Sequence, residues 1–258
     1  MASFFDLTSI KDPYAKEEAF IRNENRFEMS DKSFAELEGI PYNAYWLGKT
    51  FIKAFTELKL SEYAKCCTGM QTGGNAKYIR LWFEVNINET TIFNDKAKYE
   101  KYNCGGENRR WYGNHFNVVD WSNNGAAIRA EKSSVIRNER YFRKEGISWK
   151  RIAGDVSYIR YLPEGFIFDQ AGDSMFPFED KNLFYILGFL NSKVAMIGIS
   201  FIAPTMNLTA GNMNKLPVIL DEKKKERIDN LVGENIDYCK QDWDMFETSW
   251  DFRRHPLI

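Results

Sequence analysis

The chain has 258 residues, 44% hydrophobic and 16% aromatic, a globular composition that excludes an intrinsically disordered protein. Its 35 basic and 36 acidic side chains leave a formal net charge of -1. That balance excludes a whole-surface basic field, so any nucleic-acid contact must come from a local patch. The four cysteines, Cys66, Cys67, Cys104 and Cys239, lack Cys-x-x-Cys spacing, and His115 and His255 lie far apart. The pattern argues against a structural metal site and fits free thiols in a reducing, cytoplasmic setting. The opening MASFFDLTSIKDPY lacks a basic stretch followed by an apolar run, so no signal peptide is expected.

Residues 12–34 are rich in charge and predict a short amphipathic helix and then an extended polar stretch. They form either an arm or an ordinary first helix. After Pro41, the apolar positions Trp46, Phe51, Ile52, Phe55 and Leu58 recur at steps of three and four, which predicts a core-facing helix within 45–65. The glycines Gly69, Gly73 and Gly74 then turn the chain into an alternating run over 78–85, read as a strand. Glycines before a strand are in the wrong order for a phosphate-binding loop, which needs strand, glycines and then a helix N-terminus. The loop instead carries Gln71, Thr72, Asn75 and Lys77, with Arg80 just beyond it. Such donors and acceptors suit base edges or phosphates, and a plain solvated turn has the same composition.

Arg109, Arg110, Trp111 and Tyr112, with Asn114 close behind, form the densest basic–aromatic group. Guanidinium groups bind phosphates or guanine edges and aromatic rings stack on bases, but surface cation–π pairs would look the same. A strand is expected over 116–121, followed by a positive-φ reversal at Asn123, Asn124 and Gly125. Residues 133–151 form the one locally basic run, with Arg137, Arg140, Arg143, Lys144, Lys150 and Arg151 against Glu139 and Glu145. In a neutral chain this run is the best candidate for phosphate contact.

Short strands follow over 156–162 and 165–169. Asp173, Glu179 and Lys181 faintly imitate a nuclease metal motif, but they flank the Pro177 turn with no strand to hold them in register. Residues 182–220 predict a long apolar helix, a turn at Pro204 and a Leu-Pro-Val-Ile strand end. Asn191, Ser192 and Lys193 at the helix centre argue against a membrane span. Ile228, Val232, Ile236, Cys239, Trp243, Phe246 and Trp250 make a one-sided helical stripe within 221–250, fit either for a partner or for the chain's own core.

Several segments in fixed order resemble the specificity region of PglX-type adenine methyltransferases from BREX phage-defence systems and of related type IIG restriction–modification enzymes. They are NRF at 25–27, PYNAYW at 41–46, GMQTGGNAKYIRLWFEV at 69–85, GGENRRWYGN at 105–114 and SVIRNERYFRKEGISW at 134–149. YLPEGFIFDQAG at 161–172, GFLNSKVA at 188–195, NKLPVI at 214–219 and QDWDMFETSWDF at 241–252 continue the series. The helix, small turn and Leu-Pro-Val-Ile ending are also similar to specificity subunits of type I restriction systems.

The chain departs from those enzymes in two places. Their (Asn/Asp/Ser)-Pro-Pro-(Tyr/Phe) motif, which grips the flipped adenine, has no counterpart. The nearest strings, at Asp12-Pro13-Tyr14 and Pro41-Tyr42-Asn43, lack the second proline. The glycine turn for S-adenosylmethionine is also missing, so that cofactor is expected only with a methyltransferase domain. The resemblance therefore implies a recognition half without a catalytic half, with no catalytic or metal-binding residues of its own.

The expected fold is α+β, a mixed twisted sheet with flanking helices followed by a long C-terminal helix. Residues 1–40 are read as an arm or linker, 41–220 as a target recognition domain, and 221–258 as the C-terminal helix and tail. The expected partners are double-stranded DNA, a methyltransferase domain or subunit and other defence-complex proteins, with no membrane. The rival reading is a protein–protein adaptor that uses the C-terminal helix.

Overall fold

The computed structural model describes residues 2–30, 53–54, 59–152, 158–255 and 257–258. It divides into two compact units, Met1–Leu58 and Lys59–Ile258. In the first unit, β1 (Ala2–Phe5) pairs antiparallel with β2 (Arg26–Met29), with α1 (Pro13–Ile21) between them in sequence. Helix α1 begins where Asp12 accepts the Ala15 amide at 2.8 Å. Pro13 fills the first helical position, where a missing N–H costs nothing. Phe20 of α1 packs on Phe5 with ring centroids 4.5 Å apart. Of the stretch expected over 12–34, a helix and a strand are therefore present up to Met29, and 31–34 lie outside the described residues. Most of the helix expected within 45–65 lies outside the described residues. Its expected end is not helical, because Leu60–Glu62 is a single 3-10 turn and Ala64–Cys67 a strand.

The second unit opens with that strand, β3 (Ala64–Cys67), and continues through α2 (Asn75–Tyr78), β4 (Ile79–Leu81), β5 (Tyr99–Asn103), β6 (Asn117–Asp120) and α3 (Ser122–Ala130). Then come β7 (Gly146–Trp149), β8 (Ile159–Leu162), β9 (Phe166–Phe168) and β10 (Ser174–Pro177). One sheet has the order β3-β10-β7-β8 and is antiparallel throughout. The other has the order β4-β6-β5-β9, with only β5 and β9 parallel. The α+β expectation holds.

The two sheets are stitched at a corner. Beyond β3, the Met70 amide donates to the Phe168 carbonyl at 3.0 Å, so the chain that leaves one sheet pairs with the last residue of β9 in the other. The backbones approach so closely that a methyl group on Gly69 would lie 2.2 Å from the Phe168 carbonyl oxygen. Met70, Tyr102, Val119, Ile128, Ile167 and Phe168 are buried in one cluster beside this corner.

Several sequence expectations change. The strand expected over 78–85 is only β4. Tyr78 ends α2, its hydroxyl donating to Glu131 at 2.8 Å. After β4, the Glu84 carboxylate accepts the Leu81 amide at 2.9 Å and closes a 3-10 turn over Trp82–Glu84. The single helix expected from Leu183 is two, α4 (Leu183–Leu190) and α5 (Lys193–Ile202), bent by 81°. The cause is local, because Ser192 takes an extended conformation and its hydroxyl accepts the Ala195 amide at 3.1 Å, starting a new helix. Asn191 finishes the old one by donating to the Leu187 and Ile159 carbonyls. Among the described residues no single helix is long and apolar enough to cross a membrane.

After α6 (Ala210–Met213), the Leu-Pro-Val-Ile segment makes one isolated bridge, Pro217 to Lys59, and no strand. The last helix, α7 (Glu222–Asp244), ends short of Trp250. It packs along α4, where Gly188 lets Val232 and Ile228 come close. The strand at 116–121 and the reversal at Asn123, Asn124 and Gly125 are both present, with φ of 51°, 57° and 69° in the turn.

The corner gives a direct stability test. Gly69→Ala would drive a methyl group into backbone that cannot move without parting the sheets, and should cost about 3 kcal/mol or more in urea unfolding. Gly74→Ala, whose methyl group would meet nothing nearer than 3.7 Å, should stay within about 0.5 kcal/mol of wild type.

Candidate nucleic-acid interface

The glycine loop at 71–77 and the start of the basic run are built against one another. Gln71 and Val135 exchange both backbone hydrogen bonds at 2.9 Å, and Ser133 Oγ donates to the Gly73 carbonyl at 3.0 Å. Asn138 Nδ2 donates to the Thr68 carbonyl at 2.8 Å. Thr72 is 1% exposed; its hydroxyl donates to Asn75 Oδ1 at 2.6 Å and accepts the Gly74 amide at 3.1 Å. It therefore shapes the loop from inside and presents nothing to solvent. Asn75 and Lys77 are exposed, but Lys77 is paired with Glu131 at 2.9 Å. Arg80 turns onto its own backbone, donating to the Ala76 and Ile79 carbonyls at 2.7 Å.

In the basic run, Arg137, Arg140 and Lys144 are exposed, and among the described residues none of them has an ion-pair partner. The nearby carboxylates are engaged elsewhere: Glu139 pairs with Arg129, and Glu145 accepts the Tyr161 hydroxyl. Arg140 and Lys144 both sit over the Tyr141 ring, at 4.9 and 5.6 Å from its centroid. Tyr141 in turn stacks on Phe176 of β10 at 4.9 Å and 18°. Lys65 on β3 is exposed and faces Phe176 across the strand pair. Burial pushes the Cys67 thiol up to about 11, while the Lys65 and Arg140 charges pull it back. Arg143 is exposed but its charge is paired, because its guanidinium grips Glu100, with Nε 2.7 Å from Oε2. Lys150 and Arg151 are half-buried at the end of β7.

The basic–aromatic loop at 109–114 turns toward α7. Arg109 pairs with Asp242 at 2.9 Å and lies 5.0 Å from the Trp243 ring centroid. Trp111 bridges β8 through the Ile159 carbonyl and Tyr161 amide. Tyr112 is buried edge-on against His115, with centroids 4.7 Å apart. Asn114, 3% exposed, donates to the Glu107 carbonyl at 2.8 Å. Only Arg110 points outward, over Tyr158 at 5.7 Å. Phe116 stacks on Trp243 at 5.9 Å, and Val232, Ile236 and Trp243 are all buried. Val232, Ile236 and Trp243 of the stripe therefore pack on the unit's own core, while Phe246 is 50% exposed.

One turn connects these loops. Gln170 donates its amide to the Met70 carbonyl at 3.1 Å, and Asp169 donates its own to the Asn103 carbonyl at 3.1 Å. The Ala171 carbonyl accepts the Arg151 amide at 3.0 Å and lies 2.5 Å from where a methyl group on Gly105 would stand. Gly105 takes φ of 79°, a left-handed conformation that favours glycine. Behind the turn is Arg160, fully buried, which donates from Nη2 to Asn103 Oδ1 at 3.1 Å and to the Gly105 carbonyl. Burial lowers its pKa to about 10. Sequence reading missed Arg160, Gln170, Tyr141 and Lys65, because each acquires its place through a partner far away in the chain.

Asp173, Glu179 and Lys181 do not converge. Asp173 is fully buried and accepts the Ala210 amide at 3.0 Å, whereas Glu179 is exposed and pairs with Lys181 at 2.9 Å. Among the described residues no three His, Cys, Asp or Glu side chains converge on a metal position. Burial raises the Asp173 carboxyl from 3.8 to about 6, with Thr68, Arg151 and the Ala210 amide opposing the rise. A folded-state pKa raised above the unfolded value favours the protonated folded form. The stability contributed is full below 3.8 and lost as pH rises to about 6. Asp173→Asn should flatten this dependence. Between pH 4 and 7 the difference in unfolding free energy should move in the variant's favour by up to about 3 kcal/mol, measured by urea melts.

No protein-family model matches the chain. It is 32% identical over 259 residues to the adenine-specific methyltransferase BrxX of Escherichia coli O9:H4 (strain HS), covering 99% of this chain and 21% of that protein. It is 31% identical over 264 residues to the adenine-specific methyltransferase PglX of Lacticaseibacillus casei (strain Zhang), covering 94% of this chain and 22% of that protein. The chain is thus similar along nearly its whole length to one segment of two adenine-specific methyltransferases, and it spans about a fifth of the length of these curated relatives.

Proposed function

We propose that this chain is the sequence-recognition part of an adenine-specific DNA methyltransferase of the BREX defence type. In this reading it binds duplex DNA and directs methylation to a short asymmetric site. The observation that carries the reading is that the amide-bearing loop at 71–77 is bonded to the segment leading into Arg137, Arg140 and Lys144, exposed cations without an ion-pair partner among the described residues. A net charge of -1 gives no general field, so local cations grip phosphates while amides face base edges. The similarity to a segment of two adenine-specific methyltransferases supports the same reading. Methyl transfer and S-adenosylmethionine would belong to the methyltransferase portion that this chain serves, and other defence-complex proteins would assemble through that portion.

The loop at 109–114 has a different part in this account. Arg109 is committed to Asp242, and Asn114 to the loop's own backbone, so the segment anchors the reading surface to α7. Val232, Ile236 and Trp243 of the stripe are consumed in the same packing, so the adaptor reading would rest on the stripe's far end, where Phe246 is 50% exposed.

The test is duplex binding as a function of salt. Arg140→Glu with Lys144→Glu should lower affinity at least tenfold at moderate salt and reduce the slope of log K against log salt by about two. Arg109→Ala should leave both nearly unchanged. Selection from a randomised duplex library should return a single motif with the wild-type chain, alone or with its methyltransferase partner. Recovery of no motif in either form would overturn the proposal.

A further inference from the structure

Gln170 belongs to none of the segments picked out by charge or aromatic content, yet its amide accepts a hydrogen bond from Gln71 Nε2 across the junction of two loops. Both residues are half-buried. Both backbones are fixed, Gln71 by its paired bonds to Val135 and Gln170 by the Met70 carbonyl. The backbone on either side of the pair leads to basic residues. Val135 leads within two residues to Arg137, and Ala171, next to Gln170, holds the Arg151 amide at 3.0 Å.

We propose that Gln170, held by Gln71, is a specificity-determining residue that reads one adenine of a duplex in the major groove. This rests on the nucleic-acid reading above. A primary amide has two N–H donors and a carbonyl with two lone pairs. One link between the two amides uses one donor and one lone pair, whichever way each amide is turned. What remains is a contiguous set of donors and acceptors. Adenine's major-groove edge presents an N7 acceptor beside an N6 amino donor, and a glutamine amide meets both at once. Because the two amides brace each other on fixed backbone, less side-chain freedom is lost on binding than with a free surface glutamine. Exposed Arg137, two residues beyond Val135, would hold a phosphate while the amides face the bases.

The test is selection of the full chain, with its methyltransferase partner where needed, on a randomised 30-base-pair duplex library. Gln170→Ala should weaken the preference for adenine at one position by about tenfold while leaving the other positions and the salt slope unchanged. Gln71→Ala should weaken the same position, and the double variant little more than either single one. Gln170→Glu is nearly isosteric but offers acceptors only, so the preference at that position should shift toward cytosine, whose N4 amino group a carboxylate accepts. A purely structural tie would produce no such exchange of base. If Gln170→Ala does not fold, the glutamate variant decides. Wild-type motifs from folded Gln170→Ala and Gln170→Glu would overturn the assignment of Gln170 and leave the DNA-recognition reading standing. A wild-type chain that selects no motif would instead remove that reading, and this one with it.

Discussion

The turn at 169–172 takes β9 of one sheet into β10 of the other, and its backbone is claimed by three other segments. Met70 and Asn103 each accept from its amides, and Arg151 donates to its Ala171 carbonyl. Such a junction works only where side chains are absent. Gly69 runs under the Phe168 carbonyl and Gly105 lies against that of Ala171, each closer than a β-carbon tolerates. The amide loop, the end of the basic run and the base of the 109–114 loop all take their positions from this one set of backbone bonds. Loops fixed in this way keep their geometry without a bound partner, which is what reading a base edge to within an ångström demands.

Arg160 shows the cost of that arrangement. A fully buried guanidinium with no carboxylate partner among the described residues is expensive, and burial lowers its pKa to about 10. Its bonds to Asn103 and the Gly105 carbonyl tie the same corner from behind. The helical layer is simpler. Gly188 lets α7 lie along α4, and Trp243 reaches the loop at 109–114 through Phe116 and Arg109. Val232, Ile236 and Trp243 of that helix thereby close its own domain, and Phe246 beyond its end stays exposed.

Much of this was legible in the sequence wherever the cause was local. The positive-φ turn at Asn123, Asn124 and Gly125, the strand over 116–121, the α+β class and the C-terminal helix all follow from residue type and period. The failures have tertiary causes. Alternation over 78–85 pointed to a strand, but Glu84 folds back on the Leu81 amide. Apolar residues run on from Leu183, but one serine cap at Ser192 divides the helix in two. For the candidate surface, residue type found the cations and amides but not which of them stay free. Lys77 and Arg143 meet Glu131 and Glu100, neither of them near in sequence, while Arg140 and Lys144 lie over an aromatic ring and have no ion-pair partner among the described residues. Gln170 carried no compositional signal, because its place depends on a partner 99 residues away.

The central claim is that the loop at 71–77, the basic run through Lys144 and the turn at 169–172 form one DNA-facing surface. Amide hydrogen exchange of the full chain, with and without a duplex carrying its selected site, tests that claim most directly. The account predicts protection that appears together at 70–77, 133–144 and 169–172 and leaves 109–114 unchanged. Protection confined to 109–114 and the exposed side of α7 would contradict it.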